Sequence, residues 1–335
     1  MSDLLTLEHV DVGFATDDGR VSAVSDVSLT VAEGEIFGLV GESGCGKTTL
    51  AMALMGLLPV TATVAGSVRF QELELFGMPQ EALRKLRGDR ISMIFQDPMI
   101  SLDPTFSVGE QVAETITAHR DVDARQARRR ALELLNEVGI PEAERRFDDA
   151  PHRLSGGMRQ RVVIATALAN EPALVLADEP TTALDVTIQS QVLDLLRDLR
   201  RRLQTTIVLI THDLGVVAQI CDRVGVMYAG QLVEVARVSE IFRTPRHPYT
   251  QALLAALPTQ QQARGSLQVI PGRVPDLADP PPGCRFSTRC PYVMDECTAV
   301  PPLAHETDDH LIACWLSEAT KHAGRPDHAA AGGVT

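Results

Sequence analysis

One string near the N-terminus constrains this chain more than any other: residues 41–48 read GESGCGKT, which fits G-x-x-x-x-G-K-S/T. Glycines in such a run let backbone N–H groups curve around phosphate oxygens, the lysine reaches the β- and γ-oxygens, and the hydroxyl meets Mg2+. The pattern requires a strand before it and a helix after it. An apolar, β-branched run at 36–40 precedes it, and good helix formers at 47–58, stopped by Pro59, follow it. The nucleotide-contacting set expected from this loop is Gly41, Ser43, Gly44, Cys45, Gly46, Lys47, Thr48 and Thr49.

The rest of the composition narrows the class. With 335 residues, 44% hydrophobic and 22% charged, the chain has room for a large core domain and a smaller appendage. A net charge of -13 and an aromatic share of 4% argue against a nucleic-acid partner, which needs concentrated positive charge or stacking platforms. No stretch approaches the about 18 uninterrupted apolar residues of a membrane span. Residues 1–10 carry Asp3 and Glu8 and lack the basic and apolar regions of a signal peptide, so a cytosolic protein is expected.

Residues 4–40 are β-rich, with runs at 21–31 and 36–40 set apart by turn signals at 17–19 and 33–34, and predict an antiparallel β layer. Helical patterns dominate from 108 to 170, including the Arg-rich 124–139, and predict a helical subdomain inserted at about 97–157. A strand at 173–177, a helix at 187–203 and a strand at 206–211 then imply a parallel sheet covered by helices. Polar residues at 259–266 read as a linker, 271–283 is dense in proline and glycine, and residues 319–335 read as a disordered tail. The expected domains are 1–257, 258–318 and that tail.

Two further strings carry chemistry. At 173–179, ALVLADE is an apolar strand ending in two acids, with Asp178 placed to aid Mg2+ and Glu179 to polarise an attacking water. At 154–161, LSGGMRQR opens a helix with a Ser-Gly-Gly turn. The free N–H groups and positive dipole end at Ser155, Gly156 and Gly157 suit an anion, while the simpler reading is an N-cap by Ser155.

The 154–161 run resembles the signature of ABC ATPases, and with the phosphate loop and the acidic strand end, which resembles a Walker B element, the chain is identified as a member of the ABC nucleotide-binding domains. That resemblance implies an α/β fold: a P-loop NTPase with a RecA-like core, an antiparallel β layer and an inserted helical subdomain. Gln96 then resembles the Q-loop glutamine, contacting Mg2+ and water and sensing membrane subunits; 182–185 resembles the D-loop with Asp185; His212 resembles the switch histidine; and Phe14 stands where an aromatic stacks on adenine. The implied catalytic set is Glu179, His212 and Gln96, with Thr48, Gln96 and Asp178 around Mg2+. In the family one subunit's phosphate loop and another's signature enclose the same ATP, so a monomer binds ATP but hydrolyses it slowly.

Residues 246–254 (RHPYTQALL) and 270–277 (IPGRVPDL) resemble the C-terminal extension of dipeptide and oligopeptide importer ATPases. This implies a second homologous ATPase subunit in a heterodimer, two transmembrane permease subunits, an extracytoplasmic substrate-binding protein, and a peripheral place on the cytoplasmic face of the membrane. Di- and oligopeptides are the implied cargo, with nickel as the alternative. Cys284, Cys290, Cys297 and Cys314 offer four thiolates, enough for a 4Fe-4S cluster or a structural zinc, although their spacing fits neither a C-x2-C finger nor a ferredoxin run. Resemblance favours iron-sulfur, with zinc as the alternative. Cys45, in the phosphate loop, and Cys221, in an apolar helix, are not expected ligands.

Arginines at 128–130 and 200–202 read as solvated helix faces balanced by Asp123, Glu133, Asp194 and Asp198. The rival class, ABC ATPases of DNA repair, places long coiled coils between loop and signature, and no heptads occur between Lys47 and Ser155.

Overall fold

Residues 2–16, 19–182, 184–257, 270–307 and 309–316 are described in a computed structural model of the chain. The linker expected at 259–266 and the tail at 319–335 lie outside the described residues.

The chain opens with β1 (Asp3–Thr16) and β2 (Gly19–Ala32), an antiparallel pair whose alternating pattern turns Leu5, Leu7, Val10, Val24 and Val27 inward. β3 (Ile36–Val40) runs into the phosphate loop and α1 (Lys47–Leu54). β4 (Ala62–Phe70) and β5 (Leu73–Glu74) complete a four-stranded antiparallel sheet in the order β2-β1-β4-β5. After α2 (Gln80–Leu86) and β6 (Ile91–Ile94), the chain enters a helical stretch: α3 (Pro98–Ser101), α4 (Val108–Thr117), α5 (Ala124–Glu137), α6 (Ala143–Arg146) and α7 (Gly156–Ala167). Capping boxes at Ser107 with Glu110 and at Asp123 with Gln126 start α4 and α5.

Alternation then resumes with β7 (Leu174–Asp178), α8 (Val186–Leu203), β8 (Thr206–Thr211), α9 (Leu214–Ile220) and β9 (Arg223–Tyr228). β10 (Gln231–Arg237), α10 (Val238–Arg243) and α11 (Pro248–Ala255) lead to the C-terminal segment, which contributes β11 (Ala304–Thr307) and β12 (His310–Ile312). The second sheet has eight strands in the order β11-β12-β10-β9-β3-β8-β7-β6. β9, β3, β8, β7 and β6 run parallel, and β10, β12 and β11 add an antiparallel edge.

Several expectations need correcting. β3 is not part of the antiparallel layer: it lies between β9 and β8, and all five of its residues are buried because helices or the other sheet cover both faces. β4 takes its place beside β1. α1 ends at Leu54 rather than running to Pro59, because Gly56 takes a left-handed φ of 60° that breaks the helix first. Cys221 is the residue after α9, not within it. Arg128 pairs with Asp148, Arg130 with Glu133, Glu137 and Glu171, Arg200 with Asp222 and Arg202 with Glu137, while Asp194 pairs with Arg197 instead.

Apolar packing joins these parts around the parallel sheet. One face, with Ile94, Val175 and Leu209, packs against Val112, Leu134 and Phe147 of the helical stretch. The other, with Phe37, Leu39 and Val208, packs against α1 and the antiparallel layer. A third cluster sets Tyr228 and Tyr249 against Phe286, so the C-terminal segment shares core with the strand and helix before it.

Candidate nucleotide site

The loop between β3 and α1 owes its shape to glycine at two points. A side chain at Gly41 would lie 2.0 Å from the Met227 carbonyl oxygen, and one at Gly46, whose φ is +99°, would lie 2.4 Å from that of Ala23. Gly46 caps α1 without a side-chain partner, and no acid stands in the first turn, which leaves this helix end open to an anion. Lys47 lies buried along the loop: its Nζ donates to the carbonyl oxygens of Gly41 at 2.8 Å and Glu42 at 3.1 Å. Thr48 Oγ1 donates to Asp178 Oδ1 at 3.1 Å, joining the start of α1 to the end of β7. Glu42 N–H donates to the Tyr249 hydroxyl at 2.9 Å.

Beside the loop, three elements converge on one carboxylate. Glu179 Oε1 meets His212 Nδ1 at 2.9 Å, and its Oε2 accepts from Gln96 Nε2 and from Thr182 Oγ1, each at 2.8 Å. Glu179 holds a left-handed φ of +46°, rare for such a residue, and its N–H donates to the Ile210 carbonyl at 2.8 Å. Burial pushes its carboxyl up, but the hydrogen bonds of His212 and Thr182 outweigh this and hold it below the ordinary carboxylate value. Asp178 goes the other way: burial raises it, the neighbouring Glu179 adds to the rise, and the bond from Thr48 offsets only part. Two adjacent acids thus have distinct proton affinities. A cavity of about 510 Å³ opens between the loop and this cluster, lined by Gly41, Glu42, Ser43, Gln96, Glu179, Thr182 and His212 among others. Sequence reasoning placed Thr182 in the 182–185 run and Tyr249 in the 246–254 run but missed that they bond Glu179 and the Glu42 N–H.

Ser155, Gly156 and Gly157 do not line that cavity. Ser155 caps α7, its Oγ accepting from Met158 N–H at 3.3 Å, as the simpler reading of this turn expects. Gly157 lies under Ile188, where a Cβ would come within 2.8 Å of the isoleucine, whereas a Cβ on Gly156 would meet nothing within 4 Å. Asp185 caps α8 through Ile188 N–H at 3.0 Å, so the cap and the glycine contact share one residue. Phe14 stands in β1 opposite Val21 and Ala62, partly buried against the layer.

A larger cavity, about 750 Å³, lies between the antiparallel layer and the sheet edge. Its arginines are engaged within the fold, Arg223 with Glu35, Arg200 with Asp222 and Arg237 with Asp309, so it is a charged seam rather than an anion site.

Cys284, Cys290, Cys297 and Cys314 are half-buried and free of disulfides. Cys284 N–H donates to the Cys297 carbonyl at 2.9 Å, and burial, with the other thiols adding, pushes the Cys290 thiol up to about 12. The four side chains thus lie within electrostatic reach of one another. Yet among the described residues no group of three or more His, Cys, Asp or Glu side chains is drawn into metal-binding geometry. The ligand set expected for iron-sulfur is gathered but not converged.

Residues 24–182 match the family model described as ABC transporter, and residues 233–297 match the oligopeptide/dipeptide transporter C-terminal region. The dipeptide transport ATP-binding protein DppD of Bacillus subtilis is 46% identical over 321 residues, which cover 95% of this chain and 96% of the relative. The chain belongs to the ABC transporter ATP-binding proteins of the dipeptide/oligopeptide family. Such a protein is an ATPase. The oligopeptide transport ATP-binding protein OppD of Haemophilus influenzae is 47% identical across 95% of this ATPase and 98% of its own length. OppD of Mycobacterium bovis is 50% identical over 95% of this chain but only 52% of its own. Among solved structures, the dimeric ATP-binding cassette MJ0796 in a post-hydrolysis state bound to ADP and Pi superposes with a TM-score of 0.64 and 30% identity, covering 70% of this ATPase and 98% of that chain.

Proposed function

We propose that this ATPase drives uptake of di- or oligopeptides, hydrolysing ATP in a site completed by a second, homologous ATPase subunit. The observation that carries this reading is the Glu179 cluster, where Gln96, Thr182 and His212 hold one ionised carboxylate beside an open phosphate loop.

The residues divide the work. Backbone N–H groups of 41–49, including those of Ser43, Gly44, Cys45 and Thr49, surround the phosphates. Lys47 leaves the Gly41 and Glu42 carbonyls for the β- and γ-oxygens, a short swing because it already lies along the loop. Thr48 and Asp178, already joined to each other, and Gln96 would hold Mg2+, which supplies charge neutralisation at those oxygens. Glu179 accepts a hydrogen bond from the attacking water and orients it, and His212 faces the γ-phosphate. Phe14 stacks on the adenine.

Ser155, Gly156 and Gly157 serve the partner's nucleotide. The open space over Gly156 at the start of α7, where an added Cβ would meet nothing within 4 Å, supports this. The MJ0796 cassette is a dimer bound to ADP and Pi, which fits the same arrangement. Asp185 lies on the facing D-loop. The names of DppD and OppD support dipeptide and oligopeptide cargo. Two transmembrane permease subunits, fed by an extracytoplasmic substrate-binding protein, receive the stroke. Phe95 and Phe106, exposed beside a cavity of about 560 Å³ next to the Q-loop, offer them an apolar footing. No described helix is long and apolar enough to cross a membrane. Attachment at the cytoplasmic face through these permeases belongs to the same family reading. A heterodimer of ATPases follows the same family reading, with 1–257 as its catalytic domain and 258–318 as the extension.

By the same family resemblance, Cys284, Cys290, Cys297 and Cys314 are read as the seat of a 4Fe-4S cluster, with zinc as the alternative. Anaerobic reconstitution that yields a brown protein with about four iron atoms per chain supports iron-sulfur; uptake of about one zinc instead would refute it.

The function is tested with permeases, binding protein and both ATPase subunits in liposomes. Peptide should stimulate ATP turnover, and Glu179→Gln should bind ATP normally while losing turnover by roughly 100-fold or more. Stimulation that persists without the permeases, or a Glu179→Gln subunit hydrolysing at the wild-type rate in its own pocket, sinks the proposal.

A further inference from the structure

We infer that Arg289, from the cysteine-bearing C-terminal segment, is a positioning residue of the nucleotide site: it cancels the charge of Glu42 at the mouth of the phosphate loop and so makes that mouth acceptable to a polyphosphate. The inference rests on the reading of residues 41–49 as the nucleotide site.

The contact is a two-pronged ion pair across 247 positions of sequence: Arg289 Nη1 lies 2.7 Å from Glu42 Oε2, and Nη2 lies 3.1 Å from Oε1. The arginine side chain is 4% exposed and the glutamate 26%, so solvent screens the pair weakly. The guanidinium is fixed by its other bonds as well. Nε donates to the Pro271 carbonyl at 2.9 Å, Nη2 to that of Ile270 at 3.3 Å and Nη1 to the Tyr228 hydroxyl at 3.3 Å. Its stem crosses Gly272, where a Cβ would come within 3.2 Å of Cγ.

Glu42 meanwhile lines the cavity beside the loop, and its own backbone is held by Tyr249 and Lys47. A bare carboxylate at that position would oppose the charge of ATP, and water cannot fully shield it. Arg289 removes that opposition from behind without touching the nucleotide. Arg285, four residues earlier, donates to the Ala229 carbonyl and, at 2.7 Å, to Ser25 Oγ, while the next N–H, that of Gly230, donates to the Cys45 carbonyl at 3.0 Å. The loop carrying Cys284 and Cys290 therefore braces the phosphate loop from two directions.

Full-length wild type, Arg289→Met, Glu42→Gln and the double variant are titrated with Mg2+–ATP, with melting followed in parallel. Arg289→Met should weaken ATP by about tenfold, less at high salt, and Glu42→Gln alone should bind at least as tightly as wild type. The double variant should recover to within about threefold of wild type, because removing the carboxylate removes what Arg289 cancels. Wild-type affinity in Arg289→Met, or a double variant as weak as Arg289→Met, overturns the inference. If Arg289→Met does not fold, Glu42→Gln decides, and tenfold weaker binding there overturns it. A wild-type chain that fails to bind ATP removes the underlying site reading instead.

Discussion

Glu179 owes its low proton affinity to bonds that can be removed one at a time. Thr182→Val deletes one of the hydrogen bonds that lower it, so burial gains weight and the carboxyl rises. The acid limb of the turnover-versus-pH profile of the assembled transporter should then move to higher pH; a limb that stays put or moves down counts against Glu179 as the titrating base. Glu234 offers the matching test for stability. Fully buried, it accepts from His310 Nε2 at 2.7 Å and from the N–H groups of Arg246 at 2.6 Å and His247 at 2.9 Å. Burial raises its carboxyl, but these bonds together outweigh burial and hold it below its ordinary 4.5. A carboxyl lowered by folding stabilises fully above its unfolded value and loses that contribution as pH falls through its folded one. Glu234→Gln should cost about 3 kcal/mol at neutral pH. The gap in Tm between the two proteins should stay level down to about pH 5 and narrow in stronger acid.

Elements were legible in the sequence where a short string sets them. The phosphate loop, the acid-tipped β7 and the Ser-Gly-Gly start of α7 are local patterns, and β8 falls at the residues its pattern predicts. Helix starts are similarly local, since Asp123, Ser155 and Asp185 cap by their own side chains. The end of α1 was not, because Gly56 breaks the helix before the more conspicuous Pro59. The sheet to which β3 belongs was not legible either: a five-residue apolar run reads alike whether its neighbours are parallel or antiparallel, and only the long-range pairing to β8 and β9 decides. Asp185 allows capping and catalysis to be separated. Asp185→Ala should destabilise by about 1 kcal/mol in urea unfolding, while Asp185→Asn, an equal cap, should stay within about 0.5 kcal/mol. A loss of turnover in the stable Asp185→Asn protein then belongs to the D-loop, and full turnover in it excludes a role for the charge.

At the scale of the whole molecule, the C-terminal segment is built into the ATPase rather than hung from it. β12 pairs with β10, Phe286 packs on Tyr228 and Tyr249 at ring distances of 5.2 and 5.4 Å, and Arg289 reaches the phosphate loop. None of this was visible in the sequence, where the partners lie far apart and the segment reads as proline-rich coil. Calorimetry of the full chain should therefore show the C-terminal segment and the nucleotide core melting in one transition. A separate, earlier transition lost on truncation at residue 257 would contradict this.

The order of synthesis gives the C-terminal segment another meaning. The phosphate loop leaves the ribosome early, but β12, the strand that covers β10 in its sheet, is translated far later. Until the C-terminal segment is made, Tyr228 and Tyr249 lack the cover of Phe286 and the rim of β10 lacks that of β12. A chain cut short before that segment should therefore aggregate more readily than the full-length protein.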